Sequence, residues 1–319
     1  MFTGEATDEN GSTSVMAGEP VVDVAEVTKR YGRRTAIAKL TLAVRPGEVL
    51  GLMGANGGGK TTTLRILAGI LKPDEGQGQV LGFDLQRGAN LIRQRVGYMS
   101  QRSSLYADLS VFENLRFRAE VYGLDRPKLA AEAAILDFGL TEYARSAARR
   151  LSGGWARRLQ LAAALIHSPT LILLDEPTAG LDATSRHEVW GRIGQLADAR
   201  AGIVISTHDL AEAERCSQAA LLSEGRVVAS GTPEQIAMKA PALAFLVSGT
   251  NARLLAPVME AVPGVIASYP QGPSLRVVAS SKAGEALQRV ATSNNTSIAS
   301  VAVRLEDTVL AFSRWPTSQ

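Results

Sequence analysis

Gly54-Ala55-Asn56-Gly57-Gly58-Gly59-Lys60-Thr61-Thr62 decides how the rest of this chain is read. Ahead of it runs the apolar Val49-Leu50-Gly51-Leu52-Met53, and behind it Thr63-Leu64-Arg65-Ile66-Leu67-Ala68 has helical spacing. Strand, glycine-rich turn, Lys-Thr and helix is the order that a phosphate-binding loop requires. Without a Cβ, successive glycine peptides turn their N–H groups into one anion-accepting concavity. The helix start adds unpaired N–H groups and the positive end of a dipole. Lys60 is then placed to reach outer phosphates as a point charge, and Thr61 to offer its hydroxyl to Mg2+. A merely flexible glycine loop needs none of this spacing.

Around that loop, 319 residues allow one large domain or two with a sizeable core. Hydrophobic content of 45% and charged content of 20% describe an ordinary globular protein. A net charge of +3 is small for this length and gives no reason to expect nucleic acid. The single Cys216 excludes an internal disulfide and a cysteine-rich metal site. No apolar run approaches the roughly 20 residues of a membrane span.

Residues 1–20 lack periodicity and read as a disordered tail without a secretory signal. From Val21, short apolar or alternating runs predict strands of a small sheet, with Tyr31 beside a glycine. A helical section is expected from about Ser110 to Ala148, opened by the capping-box spacing of Ser110 and Glu113. Leu151-Ser152-Gly153-Gly154-Trp155 opens another helix, and Leu171-Ile172-Leu173-Leu174 reads as a strand buried on both faces. Beyond Pro241 the composition shifts, and a strand–helix–strand–strand–helix–strand order suggests a small ferredoxin-like unit. The domain expectation is therefore a tail over 1–20, a nucleotide-binding domain over 21–240 and an α+β extension over 241–319.

Ligands of open parallel sheets sit beyond the carboxyl ends of the strands. Four apolar runs end in polar groups: Met53 at the loop, Ser100 at Gln101, Leu174 at Asp175-Glu176, and Thr207 at His208. Parallel strands would bring all four together. Asp175 is then placed to hold Mg2+ beside Thr61, with Gln101 near the metal and the attacking water. Glu176 would orient or polarise that water toward a terminal phosphate. His167 and His187 read as structural, whereas His208 stands at a strand end. Ser152, Gly153 and Gly154 form a second anion-binding helix start, which suggests that two such domains pair.

With these residues in place, the chain resembles the ATP-binding subunit of an ABC transporter over about Val21–Lys239. Tyr31 matches the adenine-stacking aromatic, Gly54 to Thr62 the Walker A loop, and Gln101 the Q-loop. Leu151 to Gly154 match the signature, Leu171 to Glu176 the Walker B strand and catalytic glutamate, Ala179 to Asp182 the D-loop, and His208 the switch histidine. The resemblance implies a P-loop NTPase fold of α/β class. Its parts are a RecA-like core, an antiparallel β subdomain, an α-helical subdomain and here a small C-terminal α+β domain. It further implies ATP and Mg2+ as cofactors, with Asn56, Gly57, Gly58, Gly59, Lys60, Thr61 and Thr62 on the nucleotide. A second copy would bind head-to-tail, with Ser152 and Gly154 of one subunit closing over ATP held by the other.

Two positions depart from the pattern: Gly58 stands where Ala is common, and Trp155 where Gln is usual. Leu305-Glu306-Asp307-Thr308-Val309-Leu310 in the tail resembles the C-terminal extension of ABC-2-type multidrug or antibiotic exporters. The expected role is an ATPase powering a separate permease from the cytoplasmic face of the membrane. The alternative is a soluble ABC ATPase acting on ribosomes, DNA or a cofactor-assembly complex.

Overall fold

The computed structural model describes residues 18–314. Most of the tail expected over 1–20 lies outside the described residues. The chain runs β1 (Val22–Tyr31), β2 (Arg34–Val44), β3 (Val49–Met53), α1 (Lys60–Leu67), β4 (Glu75–Val80) and β5 (Phe83–Asp84). It continues as α2 (Ala89–Arg95), β6 (Val96–Met99), α3 (Val111–Val121), α4 (Pro127–Asp137), α5 (Gly153–Leu165) and β7 (Leu171–Asp175). Next are α6 (Ala183–Asp198), β8 (Gly202–Ser206), α7 (Leu210–Ala213), β9 (Gln218–Ser223), β10 (Arg226–Gly231) and α8 (Pro233–Met238). Last come β11 (Leu243–Ser248), α9 (Ala256–Glu260), β12 (Val265–Gln271), β13 (Ser274–Ala279), α10 (Gly284–Ser293), β14 (Ser297–Val301) and α11 (Leu305–Arg314).

These elements gather into two compact units. One runs to Val49 and resumes over Thr61–Ser206; the other joins Leu50–Lys60 to the chain from Thr207. The glycine loop therefore belongs to the second unit, and Thr61 returns the chain to the first. The composition shift near Pro241 falls inside the second unit.

In the first unit β1 lies between β2 and β4, antiparallel to both, and β5 pairs with β4. Separately, β7 pairs in parallel with β6 on one side and β8 on the other. Every residue of β7 and β8 is buried, as their unbroken apolar runs require of strands covered on both faces. The helical section forms as α3 and α4, and the expected capping box of Ser110 and Glu113 is made in both directions.

His167, just past α5, stacks on Tyr122 with ring centroids 3.6 Å apart and planes 13° from parallel. Burial pulls its pKa from 6.5 to about 4, so it stays neutral in the fold. The unfolded chain binds that proton first, so stability is full above about pH 6.5 and declines as pH falls toward 4. Allowing for partial exposure, the loss should be on the order of 1–2 kcal/mol. Urea midpoints of wild type and His167→Phe measured across that range check this: the wild type should slope there more steeply than the variant.

In the second unit β3 pairs in parallel with β9, and β9 turns into β10 through Glu224-Gly225, with φ of 49° and 79°. Two successive positive φ values make the tight two-residue hairpin whose twist matches its strands. Gly51 is needed within β3 because a Cβ there would stand 2.9 Å from the Sγ of buried Cys216. Burial pushes that thiol up to about 12, which makes it inert.

The chain after Pro241 forms an antiparallel sheet ordered β12-β13-β11-β14. With α9 and α10 between its strands, this is the ferredoxin-like order expected from the sequence. Leu275, Val277, Leu287, Ala291 and Met259 form its core. The last helix, α11, packs Leu305 and Phe312 with Met53, Leu221 and Ile236.

Candidate active site

The register of the parallel strands sets the acidic pair. Asp175 ends β7 directly opposite Ser206 of β8. It is 1% exposed, and its Oδ1 accepts from Ser206 Oγ at 2.5 Å and from Thr61 Oγ1 at 3.2 Å. Its Oδ2 is buried with no hydrogen-bond partner. A buried carboxylate oxygen left unpaired is costly, and a cation bound beside Asp175 would pair it.

Glu176 follows in the left-handed region, with φ 50°. A non-glycine residue there costs on the order of 1–3 kcal/mol and persists only when its surroundings hold it. Here its N–H donates to the Ser206 carbonyl at 3.1 Å and to Ser206 Oγ at 3.0 Å. Gln101, two residues past β6, donates from Nε2 to Glu176 Oε2 at 2.9 Å. The structure thus brings Thr61, Asp175, Glu176 and Gln101 into one connected group. Ser206 completes it, a residue that sequence reasoning overlooked. Its only signal was a hydroxyl one place before the polar end of an apolar run, and the register with Asp175 exists only once strands pair.

In the second unit the glycine loop is held by its own backbone. Gly54 has φ 137°, and a Cβ there would stand 2.1 Å from the Leu222 carbonyl, so no side chain fits. Gly57 and Gly59 have φ of 82° and 106°. Gly58 avoids positive φ, yet a Cβ would meet the Ala55 and Leu222 carbonyls at 3.1 and 3.3 Å. An alanine would be tight, so Gly58 relieves the loop. Asn56 at the loop tip is exposed, whereas Lys60 is 6% exposed. Lys60 Nζ curls back to donate to the carbonyls of Gly54 at 2.7 Å and Ala55 at 3.1 Å. Thr62 lies partly buried in the first turn of α1.

Thr207 donates from its N–H to the Leu52 carbonyl at 3.0 Å, which places His208 just past β3. Thr207 Oγ1 donates to Glu212 at 2.8 Å and accepts from the Asp209 N–H at 2.9 Å. His208 is exposed between these two fastened neighbours.

The remaining candidates occupy the first unit. Tyr31 is 48% exposed at the end of β1, with the Lys29 ammonium 6.0 Å from its ring centroid. Ser152 is the N-cap of α5, exposed and with no capping bond from its side chain. Other helix starts spend theirs: Ser110, Asp182, Asp209 and Thr232 each accept from a backbone N–H of the first turn. A Cβ on Gly153 would meet nothing within 4 Å, and one on Gly154 would meet Ser185 Oγ at 3.4 Å. Asp182 caps α6 by accepting from that same Ser185, from N–H at 2.9 Å and Oγ at 2.8 Å. These bonds hold its carboxyl below the usual range. Gly154 and Asp182 thus both lie against Ser185.

Trp155 turns onto its own chain, its ring 4.5 Å from Tyr143 and 4.4 Å from the Arg158 guanidinium. Arg158 also pairs with Glu188. The indole is therefore engaged within the chain.

Residues 37–179 match the profile of the ABC transporter family. The Nod factor export ATP-binding protein I of Cupriavidus metallidurans is 40% identical over 219 residues, covering 68% of this chain and 72% of that protein. The chain belongs to the ABC transporter ATP-binding family. The probable multidrug ABC transporter ATP-binding protein YbhF of Escherichia coli is likewise 40% identical, over 225 residues and 69% of this chain. This chain spans only 38% of the length of that relative. A dimeric ATP-binding cassette in a post-hydrolysis state, bound to ADP and Pi, superposes with a TM-score of 0.62. It is 25% identical and covers 66% of this chain and 98% of that one. The chain thus has the P-loop NTPase fold and an ABC ATPase domain.

Proposed function

We propose that this ABC subunit hydrolyses ATP to power a separate membrane permease in an exporter. ATP closes a head-to-tail dimer, and hydrolysis reopens it. The observation that carries this reading is the bonded group of Thr61, Asp175, Ser206, Glu176 and Gln101. It joins a phosphate-loop threonine to a metal-type carboxylate and a water-orienting one. Export enters from the relatives, which carry that word or a multidrug role in their names.

Asp175 and Thr61 fit Mg2+: a carboxylate with one unpaired buried oxygen stands beside a hydroxyl. Among the described residues no three His, Cys, Asp or Glu side chains gather into a metal cage. One carboxylate plus substrate phosphates is the usual arrangement for this ion. Once bound, Mg2+ would neutralise charge on the outer phosphates. Lys60 exchanges its carbonyl partners for phosphate oxygens, and the N–H groups of Gly57 to Thr62 cradle them. Glu176 orients water in line with the terminal phosphorus and accepts its proton; a P–O bond to that water forms as the bond to the β-phosphate oxygen of the departing ADP breaks. Gln101 holds the Glu176 carboxylate in place, His208 contacts the terminal phosphate, and Tyr31 stacks on adenine. Ser152 and Gly153, both exposed, and Gly154 close on the nucleotide of a second subunit beside Asp182.

No helix among the described residues is long and apolar enough to cross a membrane. We place the protein at the cytoplasmic face of the membrane through its permease, and expect no nucleic-acid partner. Purification from membranes in mild detergent checks this: a polytopic partner should co-purify in stoichiometric amount. Quantitative recovery on ribosomes or DNA without such a partner would overturn the exporter reading.

A further inference from the structure

We propose that Arg157 is a positioning residue for ATP hydrolysis, tying the signature helix to the Gln101 segment that holds Glu176. The inference rests on the ATPase reading above and assigns a residue that the motifs leave out.

Arg157 lies in the second turn of α5, shortly after Ser152-Gly153-Gly154. Its Nη1 donates to the Ser100 carbonyl at 3.4 Å and to Gln160 Oε1 at 3.3 Å. Gln160, three residues on and 5% exposed, donates from Nε2 to the Arg102 carbonyl at 3.4 Å. Two side chains on one helix face thus grip the carbonyls on both sides of Gln101. Gln101 in turn holds Glu176 Oε2. A rotation of the helix that carries the signature turn must therefore move the amide that orients the catalytic carboxylate.

Charge supports the same assignment. Arg157 is half-buried, and burial pulls its pKa down while the carboxylates of Glu176 and Asp175 oppose that shift. An arginine keeps its charge throughout. Its neighbour Arg158 pairs with Glu188 and stacks on Trp155, a surface role. The Nη1 bonds of Arg157 go to neutral acceptors, the Ser100 carbonyl and Gln160 Oε1.

The test is steady-state ATPase kinetics on the full chain, with a double-mutant cycle against Gln101. Arg157→Met should lower kcat about tenfold with KM for ATP within about twofold, because binding groups are untouched. Arg157→Lys keeps a cation within reach of the Ser100 carbonyl and should stay within about threefold of wild type. The Arg157→Met and Gln101→Ala double variant should be no more than about twofold slower than the slower single variant, since both act through one carboxylate. Multiplicative losses in the double variant would overturn the proposal. So would an unchanged kcat in Arg157→Met, a matching rise in KM, or a lysine variant as slow as the methionine one. A wild-type chain without ATPase activity would instead overturn the function proposed above.

Discussion

Glu176→Gln should stop turnover while leaving ATP bound. The loss in kcat should be at least about a hundredfold, the scale of removing a general base or water-orienting group. The amide is isosteric, and its carbonyl oxygen can still accept from Gln101 Nε2, now 2.9 Å from Glu176 Oε2. The backbone bonds from Glu176 N–H to Ser206 also survive, because they do not involve the side chain. Geometry therefore persists, and only the carboxylate's charge and basicity go. Nucleotide affinity, read with a fluorescent ATP analogue, should change by less than about threefold. In gel filtration with ATP the variant should run as a trapped dimer. Lys60→Ala should do the opposite and lose affinity, since it removes the point charge of a loop whose other donors are backbone N–H groups. Undiminished turnover in both variants would sink the mechanism.

Asp307→Ala should destabilise the protein by about 3–5 kcal/mol, the range for removing one partner of a buried ion pair. Asp307 and Arg276 are 0% and 2% exposed. Asp307 accepts from Arg276 Nε at 3.0 Å and Nη2 at 2.5 Å, from Tyr269 OH at 2.7 Å and from the Arg304 N–H at 2.7 Å. Removing the carboxylate leaves a guanidinium buried with only the Ala302 carbonyl and Gln271 as partners. Urea denaturation of the full chain should show the midpoint falling. The double variant Arg276→Met with Asp307→Leu should recover more than half of the loss, because no stranded charge remains. A midpoint unmoved in Asp307→Ala would contradict this account. Burial pushes the Asp307 carboxyl up, but the bonds from Arg276, Arg304 and Tyr269 outweigh it and hold it below 3.8. Its contribution is therefore present above that pH and lost only as the pH falls through the lower folded value. Acid sensitivity between about 6.5 and 4 belongs to His167 instead.

This pair also explains the short tail motif. Of its two acidic residues, exposed Glu306 faces solvent, and Asp307 binds α11 to β13. Leu305 and Phe312 on the same helix pack with Met53, the last residue before the phosphate loop. Helical periodicity could show that Leu305 and Phe312 share a face; it could not show what that face covers.

Local chemistry settled a good deal in advance. Glycines at Gly54, Gly57 and Gly59 signal a loop that side chains would obstruct, and all three take positive φ. The unbroken apolar run Leu171-Ile172-Leu173-Leu174 signals a strand buried on both faces, and every residue of β7 is buried. Ser110 with Glu113 signals a helix start. Each depends on residues within a few places of one another, so the linear order carries it. The same holds for the tail's strand and helix order.

Tertiary structure alone decided what crosses between distant segments. The register that sets Ser206 against Asp175, the left-handed turn at Glu176 and the unpaired Asp175 oxygen come from strand pairing. The fastening of Ser100 and Arg102 to α5, the inward turn of Trp155 and the Arg276–Asp307 pair come from packing. The chain's return at Thr61, which parts the glycine loop from the unit holding the acidic pair, follows the same division. A hydrogen bond depends on distance in space, and 114 residues separate Thr61 from Asp175. Residue types and spacing named the phosphate loop, but only the fold could say which hydroxyls and which amide bond to Asp175 and Glu176.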